Sequence, residues 1–534
     1  MSQADPVGGL APQSTRVANL AHLLTRNARR LPDQPGIIWG ANRWSWAEFD
    51  ARVSAFAAAL RTRFGVTKGT RVLVQAQNSN QIFESMLACF RLGAVWVPTN
   101  FRHSPDEVAF LAQSSGAQVM ICDAEFPDHV AACTGIARHI TIGGTGADSF
   151  DALVAAHLGE TVANVEVDRD DPCWFFFTSG TTGRPKAAVL THGQMAFVLV
   201  NHLNDLMPGT GPGDASLVVA PLSHGAGIHQ LVQLAAGAAT VLMPKGKFEV
   251  DTAWSLVAKH KITNMFTVPT IVKMLVEDPA VDRYDRSTLK YVIYAGAPMY
   301  RADQKVALDK LGPVLVQYFG LGEVTGNITV LPPSEHSYDD SVMRLGSCGF
   351  ERTGMEISIQ AQDGRSLAPY ETGEICVCGP AVFAGYYDNP EANAKSFRNG
   401  WFCTGDLGHL DEAGYLYITG RSSDMYISGG SNVYPREIEE KMLSHPALNE
   451  VAVLGIPDPK WGEIGVAVCV TAPGQQITEA EIIAYLKGKM SSYKLPRQIF
   501  FFEDMPKSSY GKITKKLIRE TLIERGLVRI TEPA

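Results

Sequence analysis

Hydrophobic and polar residues alternate along the first half of the chain in blocks that predict helices and strands in turn. Ser45-Trp-Ala-Glu48 has the form of a capping box, and it opens an amphipathic run to about Phe64 with Gly65 as a C-cap. A second capping box, Ser104-Pro-Asp-Glu107, opens another helix. Further blocks predict a helix at Gln81–Leu92 and strands at Arg71–Gln75, Ala94–Pro98 and Gln118–Cys122. This alternation predicts α/β units with mostly parallel sheets.

The pattern changes after about Ser341, where short strands separated by turn residues predict a β-rich region. Beyond Arg421 a compact α+β unit follows, with a helix from Pro435 and a helix capped by Thr478 and Glu481. The predicted fold is therefore α/β. A large N-terminal domain (1–420) would hold two α/β subdomains plus a β-rich one, and a hinge (421–424) would join it to a small, mobile α+β C-terminal lid domain (425–534).

Composition narrows the class of protein. The chain has 534 residues, of which 46% are hydrophobic and 19% charged, so it is neither a disordered nor a fibrous protein. A net charge of −8 gives no reason to expect a nucleic-acid partner. Met1–Thr15 lacks the pattern of a secretory signal, and the most apolar stretch, Leu231–Pro244, is too short to span a bilayer. We expect a cytoplasmic protein without a membrane anchor.

The nine cysteines are scattered and odd in number. Cys376 and Cys378, the nearest pair in sequence, are spaced so that they point to opposite faces of one strand, and this spacing matches no common zinc motif. We therefore expect reduced thiols that serve mostly in packing.

The strongest chemical signal is Phe177-Thr-Ser-Gly-Thr-Thr-Gly-Arg-Pro-Lys186, which lies between two apolar, strand-like runs. Its glycines, hydroxyls and lysine can surround a polyphosphate. The glycine spacing differs from that of a Walker A loop, and Ala187 stands where that loop has its metal-binding hydroxyl. A plain hairpin turn is the alternative, because glycine and threonine are turn residues.

Four further motifs follow this loop in order: Phe319-Gly-Leu-Gly-Glu323, Gly400-Trp-Phe-Cys-Thr-Gly-Asp406, Gly420-Arg-Ser-Ser-Asp424 and Ser509-Tyr-Gly-Lys512. Together the five motifs resemble those of the adenylate-forming superfamily, which contains acyl-CoA synthetases, firefly luciferase and peptide-synthetase adenylation domains. Members of that superfamily make an acyl-adenylate from a carboxylate and ATP, release pyrophosphate, and pass the acyl group to a thiol.

The resemblance implies a nucleotide site. Asp406 would accept the ribose hydroxyls, Arg421 would contact ribose or phosphate, and Phe319 would face the adenine. The usual family motif Tyr-Gly-x-Thr-Glu has Phe319 and Gly322 at its first and fourth positions here. The full set of residues implied to bind ATP or AMP is Thr178, Ser179, Gly180, Thr181, Thr182, Gly183, Lys186, Gly296, Ala297, Pro298, Phe319, Gly320, Asp406 and Arg421.

The resemblance also implies catalytic and metal-binding roles. Glu323 and Thr178 would hold Mg²⁺, and Lys512 would reach the α-phosphate and the carboxylate. His224 would form a polar wall of the acyl pocket, although a lone histidine is often only structural. The segment around His224 lacks the aspartate with which amino-acid-activating relatives bind the substrate amine, so an amino-acid substrate is disfavoured. The neighbouring lysines (Lys507, Lys515, Lys516) are expected on a solvated face.

The predicted function is that of an acyl-CoA synthetase with ATP, Mg²⁺ and CoA, in which Ser428, Gly429 and Gly430 line the CoA tunnel. The substrate is expected to be a monocarboxylic acid. Two alternatives stay open: an acyl-AMP ligase that delivers to a carrier protein, and a non-catalytic nucleotide-binding protein on the same fold. Fold analogy implies a homodimer, and the segment before Lys512 resembles those modified by a lysine acetyltransferase.

Overall fold

The computed structural model describes residues 14–179, 185–297, 299–428, 431–507 and 513–528. Internal contacts divide the chain into two compact units. The first unit comprises Met1–Phe248, Gly322–Thr325 and Pro380–Asn389, and the second comprises Glu249–Leu321, Gly326–Gly379 and Pro390–Ala534.

The first unit contains helices and strands in alternation. Its helices are α1 His22–Arg30, α2 Trp46–Phe64, α3 Asn80–Arg91, α4 Pro105–Ser115, α5 Pro127–Ala132, α6 Phe150–His157, α7 His192–Asp205 and α8 Gly225–Ala236. Its strands are β1 Arg16–Val17, β2 Pro35–Trp39, β3 Asn42–Ser45, β4 Arg71–Gln75, β5 Val95–Pro98, β6 Val119–Asp123, β7 His139–Ile142, β8 Val167–Asp168, β9 Pro172–Ser179, β10 Pro185–Thr191, β11 Ala215–Val218 and β12 Ala239–Leu242.

The main sheet of the first unit has the strand order β10–β9–β5–β4–β6–β7. Strands β9, β5, β4, β6 and β7 are parallel, and β10 is antiparallel to β9. Four further strands follow the order β11–β12–β2–β3, of which the first three are parallel. The α/β class predicted from the alternating pattern is therefore confirmed.

Local sequence signals set the ends of helix α2. The Ser45 hydroxyl accepts a hydrogen bond from the Glu48 backbone N–H at 3.2 Å, and the Glu48 carboxylate accepts one from the Ser45 N–H at 2.8 Å. Gly65 ends the helix with φ +66°, a left-handed conformation that glycine adopts without strain. Residues Ser104 and Glu107 form the same reciprocal pair at the start of α4.

The second unit contains the remaining elements. Its helices are α9 Val250–His260, α10 Pro269–Glu277, α11 Arg301–Leu311, α12 Pro390–Ser396, α13 Pro435–Leu443, α14 Glu479–Leu486 and α15 Lys515–Glu524. Its strands are β13 Asn264–Thr267, β14 Tyr291–Tyr294, β15 Leu315–Phe319, β16 Thr329–Leu331, β17 Ser347–Glu351, β18 Glu356–Gln360, β19 Gly373–Cys378, β20 Phe397–Arg398, β21 Trp401–Leu410, β22 Tyr415–Arg421, β23 Tyr426–Ser428, β24 Ser431–Val433, β25 Leu448–Asp458, β26 Gly462–Thr471 and β27 Gln498–Phe501.

Within this unit, strands follow the order β18–β19–β21–β22–β17–β16–β15–β14–β13, and β20 pairs with β21. Strands β13, β14 and β15 are parallel, whereas the strands from β16 to β22 pair antiparallel. The antiparallel part begins at Thr329, shortly before the position where the sequence pattern turns β-rich.

The C-terminal segment has its own sheet and hydrophobic cores. Strands β24, β23, β26 and β25 pair in that order, and β27 joins β26. Alternate residues of β25 point to opposite faces: Val453 packs with helices α13 and α14, while Leu454 packs with α15. This is the small α+β unit expected from the sequence, and the hinge at 421–424 remains a prediction.

Across the described ranges, no helix combines the length and the apolar character that crossing a bilayer requires.

Two buried histidines make the stability of the fold depend on pH. Burial lowers the pKa of His192, at the start of α7, to about 4, and burial also lowers the pKa of His336 to about 4. The Nδ1 of His336 lies 2.9 Å from the Pro332 carbonyl, a contact that raises the pKa of the ring, but the cost of burying the charged form outweighs it; the Tyr294 hydroxyl lies 3.0 Å from Nε2. In the unfolded chain both rings would titrate near pH 6.5.

We therefore expect stability to be full above about pH 6.5 and to fall as the pH drops toward 4, because the unfolded chain binds protons that the folded chain excludes. Each histidine contributes about 3 kcal/mol over the whole window. Melting temperatures measured between pH 7.5 and 4.5 test this. The melting temperature of His192→Gln should fall less steeply with decreasing pH than that of the wild type. Replacing the exposed His22 by glutamine should leave the wild-type pH dependence unchanged. Parallel curves for all three proteins would contradict the prediction.

Candidate active site

The glycine- and threonine-rich motif lies on a β-hairpin. Strands β9 and β10 pair antiparallel, with Thr178 opposite Lys186 and Phe177 opposite Ala187. The predicted ligands Gly180, Thr181, Thr182 and Gly183, and the side chain of Ser179, lie outside the described residues. The hairpin itself holds the hydroxyl of Thr178 and the ammonium of Lys186 at facing positions.

Glu323 lies against this hairpin. It sits in a short 3₁₀ turn, Gly322–Val324, and is only 5% exposed. The Thr178 hydroxyl donates a hydrogen bond to Glu323 Oε1 at 2.8 Å, and the Tyr386 hydroxyl donates another to the same oxygen at 2.9 Å. The structure thus brings together two residues predicted to bind the metal, although 145 positions separate them in the chain.

Tyr386 also belongs to the site, although no sequence motif predicted it. It belongs to a segment that pairs with the outer edge of β10, where the Val189 N–H donates to the Gly385 carbonyl at 3.0 Å. The Lys186 ammonium lies 5.2 Å from the centre of the Tyr386 ring, a cation–π contact. The available signal was the aromatic pair after Gly385, which is too common to mark a site alone. We name Thr178, Lys186, Glu323 and Tyr386 the hairpin cluster.

The glycine at the fourth position of the Phe319–Glu323 motif has a steric reason. A Cβ atom on Gly322 would lie 2.6 Å from Cδ1 of Phe176 and 2.8 Å from Cγ2 of Thr178, closer than real contacts allow. The family threonine cannot fit beside this Phe176 ring. The departure at Gly322 therefore compensates for a bulky aromatic residue on β9.

We predict that Gly322→Ala displaces Thr178 or Phe176 and lowers the rate of acyl-adenylate formation at least tenfold, which corresponds to about 1.4 kcal/mol. Pyrophosphate exchange measures this. Gly211→Ala is the matched control, because no atom lies within 4 Å of the position of its added Cβ. Combining Gly322→Ala with Phe176→Ala should restore part of the rate, and full activity of Gly322→Ala alone would refute the steric explanation.

His224 lies beside the same strand. It precedes helix α8, and its ring centre is 4.9 Å from that of Phe176 in a tilted arrangement. Gly227, in the first turn of α8, has no room for a side chain, because an added Cβ would meet the Leu222 carbonyl oxygen at 2.0 Å. The His224 ring thus contacts the buried Phe176 ring, which lies next to Thr178 around Gly322.

In the second unit, Asp406 and Arg421 are paired. They are register partners on β21 and β22, and Arg421 Nε donates to Asp406 Oδ1 at 3.2 Å. Asp406 is 5% exposed, while the side chain of Arg421 is 53% exposed. A bulge lies beside this pair, since the register of β21 against β19 shifts over Thr404-Gly-Asp406.

The residues predicted to surround adenine lie at one edge of a parallel sheet. Gly296 and Ala297 follow β14, while Phe319 and Gly320 lie at and just after the end of β15, its parallel neighbour. The carboxyl ends of parallel strands are where α/β proteins bind nucleotides. Pro298 lies outside the described residues.

Several predicted residues of the C-terminal segment lie outside the described ranges: Lys512, Gly429 and Gly430. Ser428 is buried at the end of β23 and lines a cavity of about 430 Å³ together with Trp461 and Arg497. The guanidinium of Arg497 lies 5.3 Å from the centre of the Trp461 ring.

The expectation that the lysines near Lys512 form a solvated face is wrong for Lys515. Lys507 and Lys516 pair with Glu450 and Glu520 near the surface. Lys515 instead pairs with Glu439 in a largely enclosed position, and burial lowers the pKa of Lys515 to about 8. An ammonium on the first turn of α15 is buried because a carboxylate on α13 faces it.

Two family models match the chain. The AMP-binding enzyme model covers residues 24–387, and the AMP-binding enzyme C-terminal domain model covers residues 437–512. The first match spans more than half of the chain and includes the whole hairpin cluster.

Individual proteins resemble this chain over nearly its full length. A feruloyl-CoA synthase of an Amycolatopsis species is 34% identical over 92% of this chain and 97% of its own. An indoleacetate–CoA ligase of Aromatoleum aromaticum is 30% identical over 96% of this chain and 100% of its own. The structure of o-succinylbenzoate CoA synthetase from Bacillus subtilis with its acyl-adenylate intermediate aligns with a TM-score of 0.84 at 29% identity, covering 97% of this chain and 100% of that one. The chain belongs to the AMP-binding enzyme family of the adenylate-forming superfamily.

Proposed function

We propose that this protein is an AMP-forming carboxylate–CoA ligase: it activates a carboxylic acid with ATP as acyl-AMP and then transfers the acyl group to CoA. The observation that carries the proposal is the hairpin cluster, where hydroxyl, ammonium and a buried carboxylate meet. The full-length likeness to CoA ligases supports it. A non-catalytic nucleotide-binding protein would have no need for a carboxylate held by two hydroxyl donors.

The first half-reaction joins two anions, so charge neutralisation and alignment must supply most of the catalysis. Lys186 offers an ammonium to the polyphosphate beside the glycine-rich loop. Asp406 accepts the ribose hydroxyls, and its neighbour Arg421 contacts ribose or phosphate. The acid's carboxylate then attacks the α-phosphorus, pyrophosphate leaves, and Lys512 offsets the charge at the reacting atoms.

Magnesium fits the hairpin cluster by its donor set. Mg²⁺ prefers hard oxygen ligands, and Glu323 provides a buried carboxylate whose Oε1 accepts hydrogen bonds from two hydroxyls. Glu323 would hold the ion with Thr178 beside it. When bound, the ion would polarise and orient the phosphate oxygens.

The second half-reaction transfers the acyl group to the CoA sulfur, and AMP leaves. We place the thiol's approach along Ser428, Gly429 and Gly430, and the 421–424 turn as the hinge on which the C-terminal domain moves between the two steps. Delivery to a carrier protein is the alternative acceptor.

For the acid, we propose a monocarboxylate with an aromatic group. The partly exposed His224 ring contacts the buried Phe176 ring beside the hairpin cluster, and aromatic side chains of this kind pack favourably with a flat ring. Two relatives are named for feruloyl and indoleacetate groups. These observations support an aryl acid over a short dicarboxylate.

The test is an AMP-release assay over a panel of acids with ATP, Mg²⁺ and free CoA. Hydroxycinnamates and arylacetates should release AMP and yield a thioester, whereas acetate and malonate should be poor substrates. Acyl-AMP that forms but transfers only when a phosphopantetheinyl carrier protein replaces CoA would establish the alternative acceptor. Absence of AMP with every acid would overturn the proposal.

Two further expectations concern partners. We propose a homodimer, which light scattering of the purified protein tests.

We also propose that an acetyltransferase modifies Lys512, which would remove its charge and stop adenylation without unfolding the protein. Mass spectrometry of protein from cells grown with excess acetate tests this.

A further inference from the structure

Two cysteines far apart in sequence face each other across neighbouring strands. Cys376 on β19 and Cys403 on β21 are direct register partners in an antiparallel pair, and their sulfur atoms are 3.7 Å apart. Paired residues in antiparallel sheets have Cα atoms about 4.5–5.5 Å apart, a spacing that disulfides also accept. Small rotations of the two side chains would bring the sulfurs to bonding distance.

The two thiols differ in surroundings. Cys376 is fully buried, whereas Cys403 is partly exposed. The Cys376 thiol donates a hydrogen bond to the Cys403 sulfur, and this bond lowers the pKa of Cys403 and raises the pKa of Cys376. The proton that the pair shares therefore stays on the buried sulfur, and the accessible sulfur is the one that ionises.

A cation lies beside the pair. Arg398 Nη2 is 3.4 Å from the Cys376 sulfur and 3.3 Å from a Glu374 oxygen. The Glu374 carboxylate raises the pKa of both thiols, and the guanidinium, which contacts the pair on the Cys376 side, acts against it and lowers both. Glu374, Cys376 and Cys403 have the types and spacing of metal ligands, but a fixed positive charge in their midst opposes a bound cation.

We propose that Cys376 and Cys403 are a peroxide-reactive dithiol that closes to a reversible disulfide, with Cys403 as the attacking thiolate and Cys376 as the resolving thiol. The Cys403 thiolate attacks one oxygen of hydrogen peroxide, the O–O bond breaks, and a sulfenic acid and hydroxide form. The Cys376 sulfur then attacks the sulfenic sulfur and displaces its hydroxyl group. The Cys376 proton and one hydroxide form water, and the second hydroxide takes up the proton that Cys403 released on ionising, so two waters form while the sulfurs lose two electrons and the peroxide gains two.

The other cysteine of β19 serves as the internal comparison. Cys378 is also partly exposed, but its sulfur lies 3.6 Å from a carboxylate oxygen of Glu356, and burial and this carboxylate raise the pKa of its thiol. Both Cys378 and Cys403 are partly exposed and lie near a carboxylate, but only Cys403 accepts a hydrogen bond from a second thiol, which lowers its pKa.

The experiment treats the reduced full-length protein with hydrogen peroxide, blocks remaining thiols with N-ethylmaleimide, and maps peptides by mass spectrometry. We expect a Cys376–Cys403 cross-linked peptide that dithiothreitol opens. Cys376→Ser should stop at a sulfenic acid on Cys403 that dimedone traps, Cys403→Ser should give neither product, and Cys378→Ser should behave as the wild type. Arg398→Met should slow the reaction several-fold.

Three results would overturn the proposal: both thiols alkylated after peroxide, oxidation of Cys378 ahead of Cys403, or zinc that copurifies with the protein and protects both thiols. Circular dichroism of each serine variant checks that it is folded. Because the readout is a covalent product and needs no nucleotide or acid, its failure would leave the proposed ligase activity untouched.

Discussion

Replacing Glu323 by glutamine should lower the rate of acyl-adenylate formation by about 10³-fold, equivalent to about 4 kcal/mol of transition-state stabilisation. The substitution removes a buried negative charge and keeps the shape of the side chain. The hydroxyls of Thr178 and Tyr386 can still donate to the amide oxygen, at the positions 2.8 and 2.9 Å from Oε1. The melting temperature should therefore change little, although the rate of acyl-adenylate formation falls strongly.

Pyrophosphate exchange at increasing magnesium concentration measures this effect. If Glu323 holds the ion, the variant should need more Mg²⁺ than the wild type for half-maximal rate. Tyr386→Phe removes one hydrogen-bond donor but no charge, so it should lower the rate of acyl-adenylate formation only several-fold. Glu412→Gln, an exposed carboxylate in a turn, is the control. If Glu323→Gln keeps the wild-type rate and magnesium dependence, Glu323 does not bind the metal ion.

Lys512→Ala should separate the two half-reactions. If the C-terminal domain moves, Lys512 faces the phosphate only during adenylation and leaves before thioester formation. The variant should lose acyl-AMP formation by about 10³-fold, as expected for a charge aimed at the reacting atoms in a water-excluded site. Supplied with synthetic acyl-AMP and CoA, it should form thioester at nearly the wild-type rate.

The matched control is Lys516→Ala, a nearby lysine whose side chain is 69% exposed and pairs with Glu520. It should leave both half-reactions intact. Equal losses in the two half-reactions of Lys512→Ala would argue against a moving domain, because a residue needed equally in both steps cannot leave between them.

The sequence alone predicted those features that depend on neighbours a few positions apart. The capping boxes at Ser45, Ser104 and Thr478 all form as predicted, because each joins a side chain to a backbone N–H three residues away. The change from alternating α/β to antiparallel strands is also visible in the order of residues. The motifs identified the family, since the spacing within each phosphate or ribose motif is local.

Contacts between distant segments were decided only by the tertiary structure. Tyr386 reaches Glu323 across 63 positions because residues 384–387 pair with the edge of β10, and no local pattern encodes that pairing. The C-x-C spacing puts Cys376 and Cys378 on opposite faces of one strand and indicates no partner for Cys376, whereas the register of β19 and β21 sets it opposite Cys403. The departure at Gly322 has a tertiary cause, because the Phe176 ring occupies the space that its side chain would need. Sequence order determines hydrogen bonds and periodicity over one or two turns, while strand register and close packing depend on the whole fold.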